Sequence, residues 1–211
     1  MELKHPFSML VAGSRKAGKT EFTKNLLSSM NEIINPPPER IIWCYSKHQP
    51  KLFEELMSIH SGIEYTHGLP IGLETMFDRD KNNLIILDDM MDEASKDERV
   101  AQLFSRGRHD NLSVIFLTQN LFHKNQRSIS LNSDYITVFK NARDQSQFQN
   151  LARQFMPSNV KFVMWAYKDA TEKPHSYLFL DLAPTTNDRP RVRANVIPNE
   201  APQFVYIPNT M

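Results

Sequence analysis

Gly13-Ser14-Arg15-Lys16-Ala17-Gly18-Lys19-Thr20 fits the pattern G-x-x-x-x-G-K-[ST], a loop that wraps phosphate groups. The apolar run Phe7-Ser8-Met9-Leu10-Val11-Ala12 precedes it and a helix-like stretch, Glu21 to Ile34, follows, so the setting is strand, loop, helix. Gly13 and Gly18 allow the tight turn that points successive N–H groups inward at phosphate oxygens, and the following helix adds the positive end of its dipole. In that reading Ser14, Arg15, Lys16 and Ala17 complete the cradle, Lys19 neutralises the β- and γ-phosphates, and the Thr20 hydroxyl ligates magnesium.

Working outward, Phe22, Leu26, Leu27, Met30, Ile33 and Ile34 recur at helical spacing and form one apolar stripe. Asn35-Pro36-Pro37-Pro38 ends that helix, and Ile41-Ile42-Trp43-Cys44-Tyr45 reads as a strand covered on both faces. A helix is predicted over Lys51–His60, a short strand near Ile63–Thr66 and a small helix near Leu73–Asp78. Leu84-Ile85-Ile86-Leu87 is a third strand, running directly into Asp88-Asp89. An acid at the C-terminal end of a parallel strand is where a phosphate-loop enzyme positions its metal, so Asp88 is the magnesium-linked candidate beside Thr20. Most of the other acids up to Glu98 read as a solvated helix start.

Ser105-Arg106-Gly107-Arg108-His109-Asp110 places two arginines at a helix end. The strand Leu112–Leu117 then closes on Thr118-Gln119. An amide at the same strand-end level as the loop and the acids can hydrogen-bond the γ-phosphate or the attacking water, so Gln119 joins the candidate site. Leu121–Ser133 reads as a loop with short helical pieces bearing His123, Lys124 and Arg127. A strand over Tyr135–Phe139, helices over Asp144–Phe155 and Asn159–Tyr167, and a last strand over Tyr177–Leu182 follow. With Pro184, Pro190, Pro198, Pro202 and Pro208 and little periodicity, residues 184–211 read as an extended tail behind a domain of residues 1–183.

The bulk composition narrows the classes. With 25 basic against 24 acidic residues the formal net charge is +1, so any nucleic-acid contact rests on a local patch. A lone cysteine, Cys44, excludes an intramolecular disulfide and a cysteine metal cluster, which fits a reducing compartment. No apolar run approaches the roughly 18 residues a membrane span needs, so a soluble, intracellular protein without a membrane is expected.

With the loop, Leu-Ile-Ile-Leu-Asp88-Asp89 and the run from Arg106 through Gly-Arg108-His-Asp-Asn-Leu-Ser-Val-Ile-Phe-Leu-Thr-Gln119 in hand, the chain resembles the FtsK/HerA superfamily of pumping ATPases. Within it the closest look is to poxvirus-type genome-packaging ATPases, as in large DNA viruses, virophages and Polinton-like or adintovirus-like elements. The resemblance spans residues 5–182, and the stretch Arg106–Gln119 is its narrowest signature.

The resemblance implies an α/β fold of the RecA-like P-loop NTPase type: a mostly parallel sheet with an additional strand and helices on both faces, the Gln119 strand lying between the loop strand and the acid strand. It implies ATP and Mg2+ as cofactors, ATP hydrolysis coupled to translocation of double-stranded viral DNA into a capsid, and a homo-oligomeric ring. DNA would be gripped without regard to sequence, with a capsid or portal-vertex protein as partner and viral assembly sites in the host nucleus or cytoplasm as the place of work. Carried over by position, residues 13–20 bind phosphates, Asp88 holds the metal, Asp89 polarises water and Gln119 senses the γ-phosphate. Arg108, or second to it Arg106, reaches a neighbour's ATP as an arginine finger. A virion-morphogenesis ATPase, a small-molecule kinase and a non-catalytic nucleotide binder are the alternatives.

Overall fold

The computed structural model describes residues 1–73, 76–90, 98–121, 127–142, 145–187, 189–200 and 202–208, with Arg127 described in its backbone only. Its centre is a nine-stranded sheet in the spatial order β11-β10-β9-β8-β2-β7-β6-β4-β5. The strands are β2 (Ser8–Ala12), β4 (Arg40–Tyr45), β5 (Ile63–His67), β6 (Asn83–Asp88), β7 (Leu112–Thr118), β8 (Tyr135–Phe139), β9 (Tyr177–Asp181), β10 (Val192–Ala194) and β11 (Phe204–Tyr206). A separate two-stranded pair joins β1 (Leu3–Lys4) to β3 (Ile34–Asn35). From β8 across to β5 every pairing is parallel, whereas β9, β10 and β11 are added antiparallel.

Strands β2, β6, β7, β8 and β9 are buried along their whole length because both faces of the sheet are covered there. Successive side chains alternate between two cores. Leu10, Ile85, Leu87, Val114, Phe116 and Ile136 face one side, where Val100, Phe104, Phe148, Leu151 and Val163 meet them. Met9, Val11, Ile41, Trp43, Ile86, Ile115 and Leu117 face the other, against Phe22, Leu26, Leu27 and Leu56. The helices Lys19–Ser28 and Pro50–Ile59 therefore lie on one face. Glu98–Arg106, Gln145–Phe155 and Val160–Ala170 lie on the other. This is an α/β P-loop NTPase sheet, and β7 stands between β2 and β6 as the resemblance implied.

Three sequence readings are corrected here. The long helix expected to Ile34 starts earlier, at Lys19, and is divided at Ser29, whose φ of −108° and ψ of 11° leave the helical range before a four-residue turn, Met30–Ile33. Tyr177–Asp181 is not the last strand of the sheet, since β10 and β11 continue it. The proline-rich stretch is thus not merely an extended tail: Val192, Ala194, Val196, Ile197 and Tyr206 are buried. Its prolines stand outside the two strands, and three-residue strands are too short to show a period, yet they cover what would otherwise be the open edge of β9. Val196 N–H donates to Tyr177 Oη at 3.0 Å, and the Tyr206 hydroxyl donates to Asp169 Oδ2 at 2.7 Å. The small helix expected over 73–78 falls partly outside the described residues. Among the described residues no helix is long and apolar enough to cross a membrane.

Candidate functional site

Parallel register decides the site. Because β2, β6 and β7 run the same way, the loop after Ala12, the acids ending β6 and the amide after Thr118 share one rim of the sheet. Gly13 N–H donates to Thr118 O at 3.2 Å, tying the start of the loop to the end of β7. A Cβ at Gly13 would stand 2.6 Å from Phe139 Cβ, so the loop enters through a gap only glycine fits. Gly18 has φ 112°, a left-handed backbone that places it as the N-cap of the Lys19–Ser28 helix, whose first bond runs from Phe22 N–H to Gly18 O at 2.9 Å. Lys16 shares the left-handed region at φ 64°.

Lys19 Nζ donates to the loop's own carbonyls, Gly13 O at 2.8 Å and Ser14 O at 3.1 Å, which brings the ammonium to the inside of the loop. Burial pulls its pKa below the ordinary lysine value, while Asp89 and then Asp88 act in the opposite direction. Asp88 ends β6 and is buried. Its carboxyl is pushed up to about 6, first by burial and then by the like charge of Asp89; Lys19 opposes this, as does the indole N–H of Trp43, which does so without completing a hydrogen bond. Asp89 is exposed and left-handed, at φ 54°, a conformation that aspartate tolerates better than most residues. Its Oδ1 accepts from Gln119 Nε2 at 3.0 Å. The structure therefore brings Lys19, Asp88, Asp89 and Gln119 together, with partly buried Thr20 in the first turn of the helix.

Arg108 is elsewhere. It lies in the 3₁₀ turn Gly107–Asp110, just before β7 begins, and its Nη2 pairs with Asp134 Oδ1 just before β8 begins. Both precede a strand, on the rim opposite the loop that follows β2 and the Gln119 that follows β7. Seven residues of β7 at about 3.3 Å each separate the two rims by roughly 20 Å. Arg106, exposed in the last helical turn, shares the Arg108 rim. His123, Lys124 and the side chain of Arg127 lie outside the described residues.

Sequence reasoning missed three contributors. Asp134 is buried and accepts at Oδ2 from Ser8 N–H at 2.9 Å and from the Ser8 hydroxyl at 3.0 Å, so the anchor of Arg108 is itself fixed. Gln49 Nε2 reaches Asp88 Oδ2 at 3.5 Å from the start of the helix Pro50–Ile59. His175 flanks the loop from the turn before β9. An acid closing the turn before a strand was a weak hint of Asp134; nothing local signals Gln49 or His175.

What the rim can do chemically follows from these groups. An ammonium and a helix N-terminus favour a polyanion, while a buried carboxylate beside a second carboxylate favours a small hard cation. Among the described residues no group of three or more His, Cys, Asp or Glu side chains is placed to hold a metal ion. Cys44 takes no part, because burial pushes its thiol up to about 12.

Residues 46–161 match the family described as Poxvirus A32 protein. Over 135 residues the chain is 28% identical to the DNA packaging protein OPG160 of vaccinia virus strain Copenhagen, covering 57% of this chain and 48% of that one. The corresponding protein of monkeypox virus is 28% identical over 135 residues, covering 57% and 44%. The chain thus spans about half the length of the curated relatives it matches. Among solved structures, the DNA-packaging ATPase B204 from Sulfolobus turreted icosahedral virus superposes with a TM-score of 0.61 at 12% identity, over 98% of this chain and 100% of that one. The cytoplasmic domain of the type VII secretion ATPase EccC from Thermomonospora curvata gives a TM-score of 0.55 at 15% identity, over 89% of this chain and 25% of that one. At such identities the likeness is one of fold.

Proposed function

The chain belongs to the Poxvirus A32 protein family, whose match covers more than half of it, and from that premise we propose that it is an ATP-hydrolysing subunit of a motor that packages double-stranded viral DNA. The observation that carries the reading is the convergence of three strand ends, so that Lys19, the pair Asp88-Asp89 and Gln119 meet at one rim. A relative named as a DNA packaging protein and a like fold in a DNA-packaging ATPase support it.

In this reading residues 13–20 bind the triphosphate, and Thr20 and Asp88 supply the oxygen donors for Mg2+. When bound there, magnesium would supply charge neutralisation on the phosphates. Lys19 turns from the loop carbonyls it meets in this structure to stabilise negative charge on the terminal phosphoryl group. Asp89 orients the attacking water and accepts its proton, held in place by the amide of Gln119. Arg108, or Arg106 beside it, stands too far from its own loop to act there, which supports a role on a neighbour's ATP in a homo-oligomeric ring. DNA would be held through phosphates, hence without sequence preference and with strong salt dependence, and a capsid or portal-vertex protein would receive the ring at viral assembly sites.

The test is ATP turnover with and without double-stranded DNA for the wild type and Lys19→Ala. DNA-stimulated release of phosphate that vanishes in the variant supports the motor. Transfer of phosphate to a small acceptor, or nucleotide binding without turnover, removes it.

A further inference from the structure

The triphosphate of a nucleotide bound as proposed above has a direction. Its terminal phosphate belongs beside Asp88, Asp89 and Gln119, on the β6–β7 flank of the loop. The nucleoside must therefore leave on the other flank, where β2 is paired with β8. Beyond β8 lies β9, and it is antiparallel: Tyr177, its first residue, pairs with Phe139, the last residue of β8. That reversal brings the start of β9, and the turn leading into it, to the same rim as the phosphate loop. The parallel strands bring only their ends there.

The turn meets the loop directly. A Cβ at Gly18 would stand 3.2 Å from His175 Cβ, so His175 occupies the space beside the helix N-cap. An open groove of about 470 Å³ is lined by residues 16–21 and, from elsewhere in the chain, by His175. On its other side the turn faces Ser14 to Ala17 and Lys140 across a second groove of about 260 Å³, so it straddles the flank of the loop. It is also held in shape: Ser176 Oγ donates to Lys173 O at 2.7 Å, Thr171 Oγ1 donates to Tyr167 O at 2.7 Å, and the Tyr177 ring packs on Phe22 at 4.8 Å. His175 itself is exposed and left-handed, at φ 65°. An exposed aromatic ring held in an uncommon backbone conformation on a braced turn is a pre-organised contact surface rather than part of the core.

We propose that the turn at residues 171–176 is the nucleoside-facing wall of the site, and that the His175 ring packs against the base of the bound nucleotide. This rests on the nucleotide-binding reading of the loop. A flat ring suits a flat base because the contact is stacking, with little dependence on which atoms carry hydrogen-bonding groups. The wall thus distinguishes a nucleotide from a bare polyphosphate, which the loop alone does not.

The experiment is equilibrium binding, by calorimetry, of ATP and of inorganic triphosphate to the wild type, His175→Asn and His175→Phe, with Lys19→Ala as control. Asparagine suits the left-handed backbone, so His175→Asn removes the ring without straining the turn. The expected result is ATP affinity five- to tenfold weaker in His175→Asn, within about twofold of wild type in His175→Phe, and triphosphate affinity unchanged in both. Unchanged ATP binding in His175→Asn, equal weakening of both ligands, or failure of phenylalanine to restore ATP binding overturns the wall. Wild-type protein that binds triphosphate and ATP equally well also overturns it while leaving the loop's phosphate role standing. Wild-type protein that binds neither ligand overturns the nucleotide site and the wall with it.

Discussion

The side-chain amide of Gln119 donates to the carboxylate of Asp89 across 3.0 Å, joining the end of β7 to the residue that follows β6. Asp89 is exposed and its backbone is left-handed, so this contact and the neighbouring strand ends are what orient it. Gln119→Ala should therefore lower turnover by about a hundredfold, the scale seen when one pre-organised polar group is lost, while ATP affinity stays within about threefold. Steady-state kinetics beside equilibrium binding checks the split; a loss confined to affinity would place Gln119 outside the chemistry.

Asp88 should make the nucleotide-free protein lose stability as pH rises. Its folded pKa of about 6 stands above the ordinary 3.8, so between those values the folded state keeps a proton that the unfolded state has released. The wild type thus becomes less stable through that window, by on the order of 1–3 kcal/mol once above it. Asp88→Asn, which cannot ionise, should be the more stable protein at pH 8 and equal to wild type near pH 3.5. Denaturant unfolding in EDTA across that range measures the gap; a variant that is less stable than wild type at pH 8 contradicts the assignment.

Arg108 should be dispensable for the subunit that carries it and needed by its neighbour. Its partner Asp134 keeps the bonds from Ser8 when the arginine is removed, so Arg108→Ala should fold normally. Alone, Arg108→Ala and Lys19→Ala should each fall by three decades or more in turnover. Mixed together they should regain a measurable fraction, since one subunit supplies the loop and the other the arginine. Turnover of the mixture no higher than the sum of the two alone would rule out action between subunits.

Residues beyond 188 should be needed for folding. Ending the chain there strips β10 and β11 from β9 and removes five buried side chains, Val192, Ala194, Val196, Ile197 and Tyr206. At about 1.5–3 kcal/mol for each large apolar side chain, the loss rivals the whole stability of a domain. Soluble yield and thermal unfolding should fall together, with a melting temperature at least 10 °C lower. A truncated protein that melts with the full chain would restore the independent tail.

Much of this molecule was legible in its sequence for a local reason. The loop, the acids after Leu87 and the amide after Thr118 each sit at the end of an apolar run, and parallel pairing brings such ends to one rim. What escaped was set by distance along the chain. Arg108 and Asp134 are 26 residues apart and meet only because β7 and β8 flank β2 in the same direction. Residues 171–176 hold no pattern of their own, and their place at the loop depends on β9 reversing direction. The strands β10 and β11, three residues each, are too short for alternation to stand out among prolines, and the burial of Val192 and Ala194 follows from the edge of β9 that β10 covers.

The loop and Arg108 occupy opposite edges of one sheet, and geometry alone then limits how copies can associate. A two-fold pair could bring arginine to loop only if both lay on one shared face, each arginine then meeting the other copy's loop. Front-to-back stacking sets the arginine rim of one copy against the loop rim of the next, and such stacking closes into a circle or winds into an open spiral. Every junction in either assembly has the same orientation, so firing can pass around it clockwise or anticlockwise as inequivalent directions. Under the motor role proposed above, that handedness would let the assembly push a polymer one way.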